Sequence, residues 1–455
     1  MGKDILIHAH PENNPITEDG TITFWLPVSL KEAPSGDVTV SRVITGSAFT
    51  TNVSSLTFTA ANWMIPQKFI LTGAAVAGTN YCVWDEIVLT SSGGGYSHEV
   101  SLPVPVMDKA TEMLSAFNTR WLAELQIKQT SQLAAKRSIA ENHFFNGNGL
   151  PSNATPASTT TSFSGSMHGV NTSELTHSST VTKTTWTTLD GDEETVTNIV
   201  YHIITDQTPL NQLHFVAQGH GYLNDMAIIN ACNAAGIDVA WCGMPYVPDN
   251  TTTNSKIDDP SNTGKHKQIL TEGIDREGYS GYALFIFDKH EFANYLDANF
   301  PEYGSRYSIS GWSGGSIACI WCPAVDTRFV KSWPGRGMGI KSFRTGSAVG
   351  DYEGSGTRID STVCGPRNTA FFEACTDMDL LMLAISGGRS VHYQGDINDA
   401  QTGDVTTWCW LAVKGRVQKN AANLGGTYNA TIRNDAAAST HEYAAAEIAT
   451  IMAEI

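Results

Sequence analysis

The sequence predicts a multidomain protein: an N-terminal all-β sandwich, a helical connector, and a C-terminal α/β domain on a mostly parallel sheet. Three observations predict it. The chain has 455 residues, more than one ordinary hydrophobic core accommodates. Its first hundred residues show short alternating strands spaced by turn residues, whereas from about residue 167 strand and helix patterns alternate. Residues 306–316 read Arg-Tyr-Ser-Ile-Ser-Gly-Trp-Ser-Gly-Gly-Ser, an alternating strand that runs straight into a glycine-rich turn. A composition of 41% hydrophobic and 16% charged residues belongs to a folded chain rather than a disordered one.

Within residues 1–106 the strand patterns fall at 21–26, 38–43, 55–59 and 66–71. The stretch Leu56-Thr57-Phe58-Thr59-Ala60-Ala61-Asn62-Trp63 with Pro66-Gln67 resembles immunoglobulin-like and Calx-β-like modules appended to bacterial and phage surface proteins. That resemblance implies spacing, docking or attachment. His8 and His10 alternate along one strand pattern, but no third ligand accompanies them, so an ordinary strand face is expected rather than a metal site.

Residues 107–166 form the connector. Met113, Phe117, Trp121 and Leu125 recur at four-residue steps up to about residue 145, an amphipathic helix whose stripe packs between the larger domains. The sharper alternative is an oligomer or virion contact through residues 1–145. The run 146–156, followed by Ser/Thr-rich sequence to 166, has the composition of a linker or long loop.

Residues 167–455 make up the third domain. Strands are expected at 181–186, 195–204, 213–217, 238–242, 329–333 and 390–394, and helices at 225–235, 284–300, 378–384 and 442–453. Such alternation gives a mostly parallel sheet covered on both faces.

The formal charge of −17, from 28 Lys+Arg against 45 Asp+Glu, argues against nucleic acid and polyanions as the main ligands. No apolar run reaches the length of a membrane span. The N-terminus lacks a basic region followed by a long apolar core, so a soluble protein without a Sec-type signal is expected, one that acts outside cells only after release, for instance within a virus particle. Eight cysteines are too few for a disulfide scaffold, and Cys232, Cys242, Cys319 and Cys409 fall in apolar core-like segments. Cys319-Ile-Trp-Cys322 has CxxC spacing, but neither a second pair nor a nearby His completes a metal set. No metal or cofactor is called for. Spacing leaves open whether Cys364 and Cys375 pair.

The chemistry rests on Gly311-Trp312-Ser313-Gly314-Gly315, the Gly-x-Ser-x-Gly pattern of a strained strand-to-helix turn that exposes a nucleophilic serine at the top of a sheet. Over about residues 195–455 the chain resembles the α/β-hydrolase superfamily. Residues 324–332 are similar to the segment that follows the nucleophile helix in bacterial esterases. The superfamily order of Ser, then acid, then His is one that this sequence supplies. The resemblance implies Ser313 as nucleophile and His441, within Ser439-Thr440-His441-Glu442-Tyr443, as base, while His392 falls inside a strand and is expected in the core. For the acid, Gln394-Gly395-Asp396-Ile397-Asn398-Asp399 offers two carboxylates. Asp399 is preferred, with Asp396 as a turn residue and Asp435 as a third candidate. The oxyanion hole would take the Gly314 amide and an amide of His220 or Gly221, where Gln218 stands in place of the superfamily's usual His. Trp312 would form a substrate wall.

What the resemblance implies is a serine carboxylesterase, expected to deacylate a polysaccharide, and the surface-protein-like front module without a Sec-type signal points to a phage virion or tail-associated setting. The alternatives are a cutinase-like hydrolase of polyester or lipid-like esters and a non-catalytic glycan-binding or structural virion protein on a hydrolase fold. A serine peptidase is less favoured, because nothing resembles a propeller or cap.

Overall fold

The computed structural model describes residues 3–9, 11, 16–18, 20, 23–74, 82–107, 125–190, 194–207, 211–219, 223–243, 251–254, 281–336, 371, 374–396, 417–433 and 443–455. The chain divides into two compact units, 1–118 with 411–415 and 119–410 with 416–455.

In the first unit, β1 (Ile5–Ile7), β3 (Thr23–Leu30), β7 (Gln67–Gly73) and β5 (Phe49–Thr51) form one sheet. A second contains β2 (Ile16–Thr17), β9 (Tyr96–Met107), β8 (Cys82–Gly93), β4 (Val38–Ile44) and β6 (Ser55–Phe58). Alternation decides which residues meet. Phe24, Leu26 and Val28 of β3, Phe69 and Leu71 of β7, and Ile87 and Leu89 of β8 enter one shared core, as a period of two requires. The β8–β9 hairpin closes through Gly94-Gly95, with φ +53 and +82, and two consecutive positive φ values suit the right-handed twist of paired strands. His8 follows β1 rather than lying in it, and its Nε2 meets the Ser29 hydroxyl at 2.7 Å. His10 and the helical stripe over 113–121 lie outside the described residues.

In the second unit, ten described strands form one sheet, among them β17 (Thr251–Asn254) off its main path, while β11 (Ser166–Met167) and β12 (Val170–Asn171) pair separately. Its main path runs β10 (Ser158–Thr160), β13 (Ser179–Asp190), β14 (Glu194–Thr205), β16 (Asp238–Cys242), β15 (Leu213–Ala217), β18 (Tyr307–Trp312), β19 (Phe329–Gly335), β20 (Ser390–Asp396) and β21 (Thr427–Arg433). From β16 to β21 every pairing is parallel, while β13, β14 and β10 join antiparallel at one side. The expected linker is thus partly built into the unit, because 158–160 pairs with β13. So is the connector, whose α1 (Leu133–Phe144) packs on α4 (Gly315–Val325) and α5 (Asp377–Ile385).

Both faces of the parallel region are covered, which is why β15, β16 and β18 are buried at every residue. Phe215 points to one side, stacking edge-on with Phe292 of α3 (Phe287–Asn299), Tyr307 and Phe329. Val216 points to the other, into a cluster with Met226 and Ile229 of α2 (Leu223–Ala234), Trp312, Trp333 and Ile451 of α6 (Ala445–Glu454). Among the described residues no helix is long and apolar enough to cross a membrane.

His214 is fully buried on β15, its Nδ1 2.7 Å from the Ser308 hydroxyl and its Nε2 2.7 Å from the Ser310 hydroxyl. Burial lowers its pKa from 6.5 to about 3, because the cation has no water there. The unfolded chain therefore binds this proton below pH 6.5 and the folded chain does not, so the contribution to stability is lost as pH falls from 6.5 towards 3. Between pH 7 and pH 5 that is about 2 kcal/mol. In His214→Asn the pH 7 to pH 5 loss in unfolding free energy, measured with urea, is expected to shrink by that amount. An unchanged loss would refute it.

Candidate active site

The turn after β18 is built by what its glycines leave out. A Cβ on Gly311 would stand 2.6 Å from the Gly315 carbonyl oxygen and 2.8 Å from that of Ala217, and one on Gly315 would stand 2.1 Å from the Ala217 oxygen. The strand, its neighbour and the start of α4 therefore approach to backbone contact, and only glycine fits. Between them Ser313 adopts φ +53, a left-handed conformation that costs a non-glycine residue on the order of 1–3 kcal/mol. Its N–H donates to the Gly335 carbonyl at 2.8 Å, and its own carbonyl accepts the Ser316 N–H at 3.0 Å and the Ser316 hydroxyl at 2.6 Å. Trp312 and Gly314 on either side are buried, whereas Ser313 is half-exposed. Gly314 caps α4, where the first amides have no partner within the helix.

Gly315→Ala should be strongly destabilising, since a backbone carbonyl cannot yield as a side chain can. The expected loss is roughly 3 kcal/mol, at the upper end for overpacking, read as a fall in the urea midpoint. A midpoint within error of wild type would show that the turn has room to spare.

A second segment reaches the same place. Gln218 follows β15 and donates its N–H to the Cys242 carbonyl at 3.0 Å. A Cβ on the next residue, Gly219, would lie 2.5 Å from the Trp312 oxygen and 3.2 Å from Ser313 Cβ. The loop after β15 thus begins against the serine. His220 and Gly221 lie outside the described residues.

A third contact comes from the chain before α6. The Tyr443 hydroxyl lies 2.6 Å from the Trp333 carbonyl oxygen and 2.9 Å from that of Gly311, the glycine that opens the turn. Its ring fills the space where Gly335 lacks a side chain, 2.6 Å from a Cβ placed there. Burial pushes the Tyr443 phenol well above its ordinary pKa, so it stays a donor. Next to Gly335, the Arg336 guanidinium is 1% exposed and pairs with both carboxylate oxygens of Glu447, at 2.8 and 3.1 Å. His441, Asp399 and Asp435 lie outside the described residues. Asp396 closes β20, a parallel neighbour of β19.

The sequence gives no local sign of Tyr443 and Arg336. The nearest hint is one Tyr and one Glu in the Ala-rich stretch 443–447, two residues after the candidate base. The last helix starts at Ala445, not at 442, because Tyr443 turns into the sheet and Ala444 stays extended at φ −75, ψ 158.

The chain is similar in arrangement to solved structures of esterases, at low sequence identity. Acetyl xylan esterase 1 from Thermoanaerobacterium sp. JW/SL YS485 is 15% identical, over 74% of this chain and 98% of that one, with a TM-score of 0.46. The acetyl xylan esterase from Paenibacillus sp. R4 is 11% identical, over 74% and 98%, with a TM-score of 0.45. Methylesterase BT1017 is 12% identical, over 77% and 70%, with a TM-score of 0.47. No family model and no curated protein matches the sequence.

Other expected residues have ordinary places. The Trp312 ring is 5% exposed and belongs to the core cluster that holds Trp333 and Tyr443. His392 is half-buried rather than core, with Nδ1 3.1 Å from Glu454 Oε2. Cys319 and Cys322 are free and buried on α4, and burial pushes both thiols well above their ordinary pKa, which suits packing rather than redox work. Cys375 is also free and buried, while Cys364 and Cys409 lie outside the described residues. Among the described residues no group of three His, Cys, Asp or Glu could hold a metal ion.

Proposed function

We propose that this chain is a serine carboxylesterase that removes acyl groups from a polysaccharide. The observation that carries the proposal is Ser313 at φ +53 between a buried strand and the N-terminus of a buried helix. A serine is held in this strained conformation where glycine would be easier, and that is the geometry of an exposed acyl-transfer nucleophile.

In the proposed reaction Ser313 Oγ attacks the ester carbonyl while His441 accepts its proton. Collapse of the tetrahedral intermediate releases the alcohol, which takes the proton back from His441, and leaves an acyl-serine. Water activated by His441 then frees the carboxylic acid and restores Ser313. Asp399 would hold the His441 tautomer and stabilise its cation. The developing oxyanion would be met by the Gly314 amide and an amide at His220 or Gly221. The start of the second loop at Gly219, against Ser313, supports that pairing. A neutral ester suits a chain with a formal charge of −17, and the β-rich first unit suits presenting an enzyme to a polymer, as on a phage virion or tail.

The test is hydrolysis of p-nitrophenyl esters of increasing acyl length by wild type beside Ser313→Ala. Turnover lost in the variant, with short acyl chains preferred, supports a deacetylase. A long-chain preference would redirect the reading to lipid-like or polyester substrates. No wild-type turnover on these esters or on acetylated glycans would reject an esterase in favour of a binding role.

A further inference from the structure

We infer that the Gly335–Arg336 turn at the end of β19, with Tyr443 and Glu447 packed on it, is the positioning hub of this site. The inference rests on the esterase reading above. The three segments that carry the proposed Ser, acid and His are far apart in sequence, and each is tied to these two residues.

The serine segment is held by Ser313 N–H donating to the Gly335 carbonyl at 2.8 Å. The acid segment is held by Arg336 N–H donating to the Gln394 carbonyl at 3.0 Å, two residues before Asp396 and five before Asp399. The segment after His441 is held twice. The Tyr443 ring lies on Gly335 while its hydroxyl meets the Gly311 and Trp333 carbonyls. Glu447, which also accepts the Ala444 N–H at 2.6 Å, pairs with the Arg336 guanidinium at 2.8 Å.

Arg336 itself sits at φ +42, a strained backbone for arginine that persists only when the surroundings over-determine it. A buried ion pair is a weak source of net stability against an apolar replacement, yet it fixes geometry, since either charge left alone is penalised. Fixed geometry is what a triad assembled from separate loops needs, because a misplacement of about 1 Å costs roughly 100-fold in rate. None of the four residues is assigned contact with substrate; they act by holding other segments.

The test uses the full chain with Tyr443→Phe, which removes one oxygen, and Glu447→Gln, with Arg336→Lys and Arg336→Met as a conservative and a disruptive pair. On p-nitrophenyl acetate kcat is expected to fall roughly 10- to 100-fold in Tyr443→Phe and Glu447→Gln, with KM within about threefold, and Ser313 labelling by a fluorophosphonate should slow in parallel. Arg336→Lys should recover part of what Arg336→Met loses. A circular-dichroism melt run on each variant shows that it is folded at the assay temperature. Folded Tyr443→Phe and Glu447→Gln with kcat and labelling rates within twofold of wild type would overturn the hub and leave the esterase reading standing. Wild type that neither turns over nor labels at Ser313 would overturn both.

Discussion

Ser313→Ala is expected to lower kcat/KM on an activated ester by a factor on the order of 10⁴ to 10⁶ without unfolding the protein. The rate loss is large because the proposed acyl-enzyme route disappears with the proposed nucleophile, and only binding and oxyanion stabilisation remain. The fold should survive because the turn is made by its neighbours. The Ser313 bonds to Gly335 and Ser316 use backbone atoms that alanine keeps, and both residues bear the same strain at φ +53. The unfolding free energy should therefore change by no more than about 1 kcal/mol. Retained turnover in a folded variant would refute Ser313 as nucleophile.

Asp399→Asn is expected to lower kcat by about 10⁴, the scale on which an amide in place of the triad carboxylate fixes the wrong imidazole tautomer. Asp396→Asn should cost about tenfold or less, because Asp396 ends β20 and is proposed as a turn residue. Kinetics of both variants at one pH on one ester, normalised to fluorophosphonate-titrated sites, distinguish them. Equal losses would remove the preference for Asp399, and a reversed order would move the acid to Asp396.

The parts of this protein that were legible in the sequence are those written locally. Short apolar runs over 213–217 and 238–242 and the alternation over 307–312 marked strands, and the structure has β15, β16 and β18 there. Gly311 and Gly315 around Ser313 announced a close turn, and the Cβ contacts give the physical reason. What escaped was non-local. The antiparallel register of β13 on β14 depends on a partner sixteen residues away, as in Thr184↔Val200. The inward turn of Tyr443 depends on Gly335, and the half-exposed setting of His392 on its pairing with Glu454. The hairpin β8–β9 was readable from Gly93-Gly94-Gly95 but drowned in a Ser/Gly-rich stretch. Trp312 shows how little a lone aromatic declares of its surroundings: its ring belongs to the core cluster with Trp333 and Tyr443, partners that come from distant segments.

The bond from Tyr443 to the Gly311 carbonyl joins residues 132 apart, which bears on the order of events as the chain folds. Closing so long a loop is entropically costly until the intervening strands have docked. The serine turn can be shaped early by its own glycines, but its last restraint arrives only with the final parallel pairings. On the proposed reading, competence to react should then trail secondary structure during refolding, and a partly folded chain would display Ser313 before it could use it.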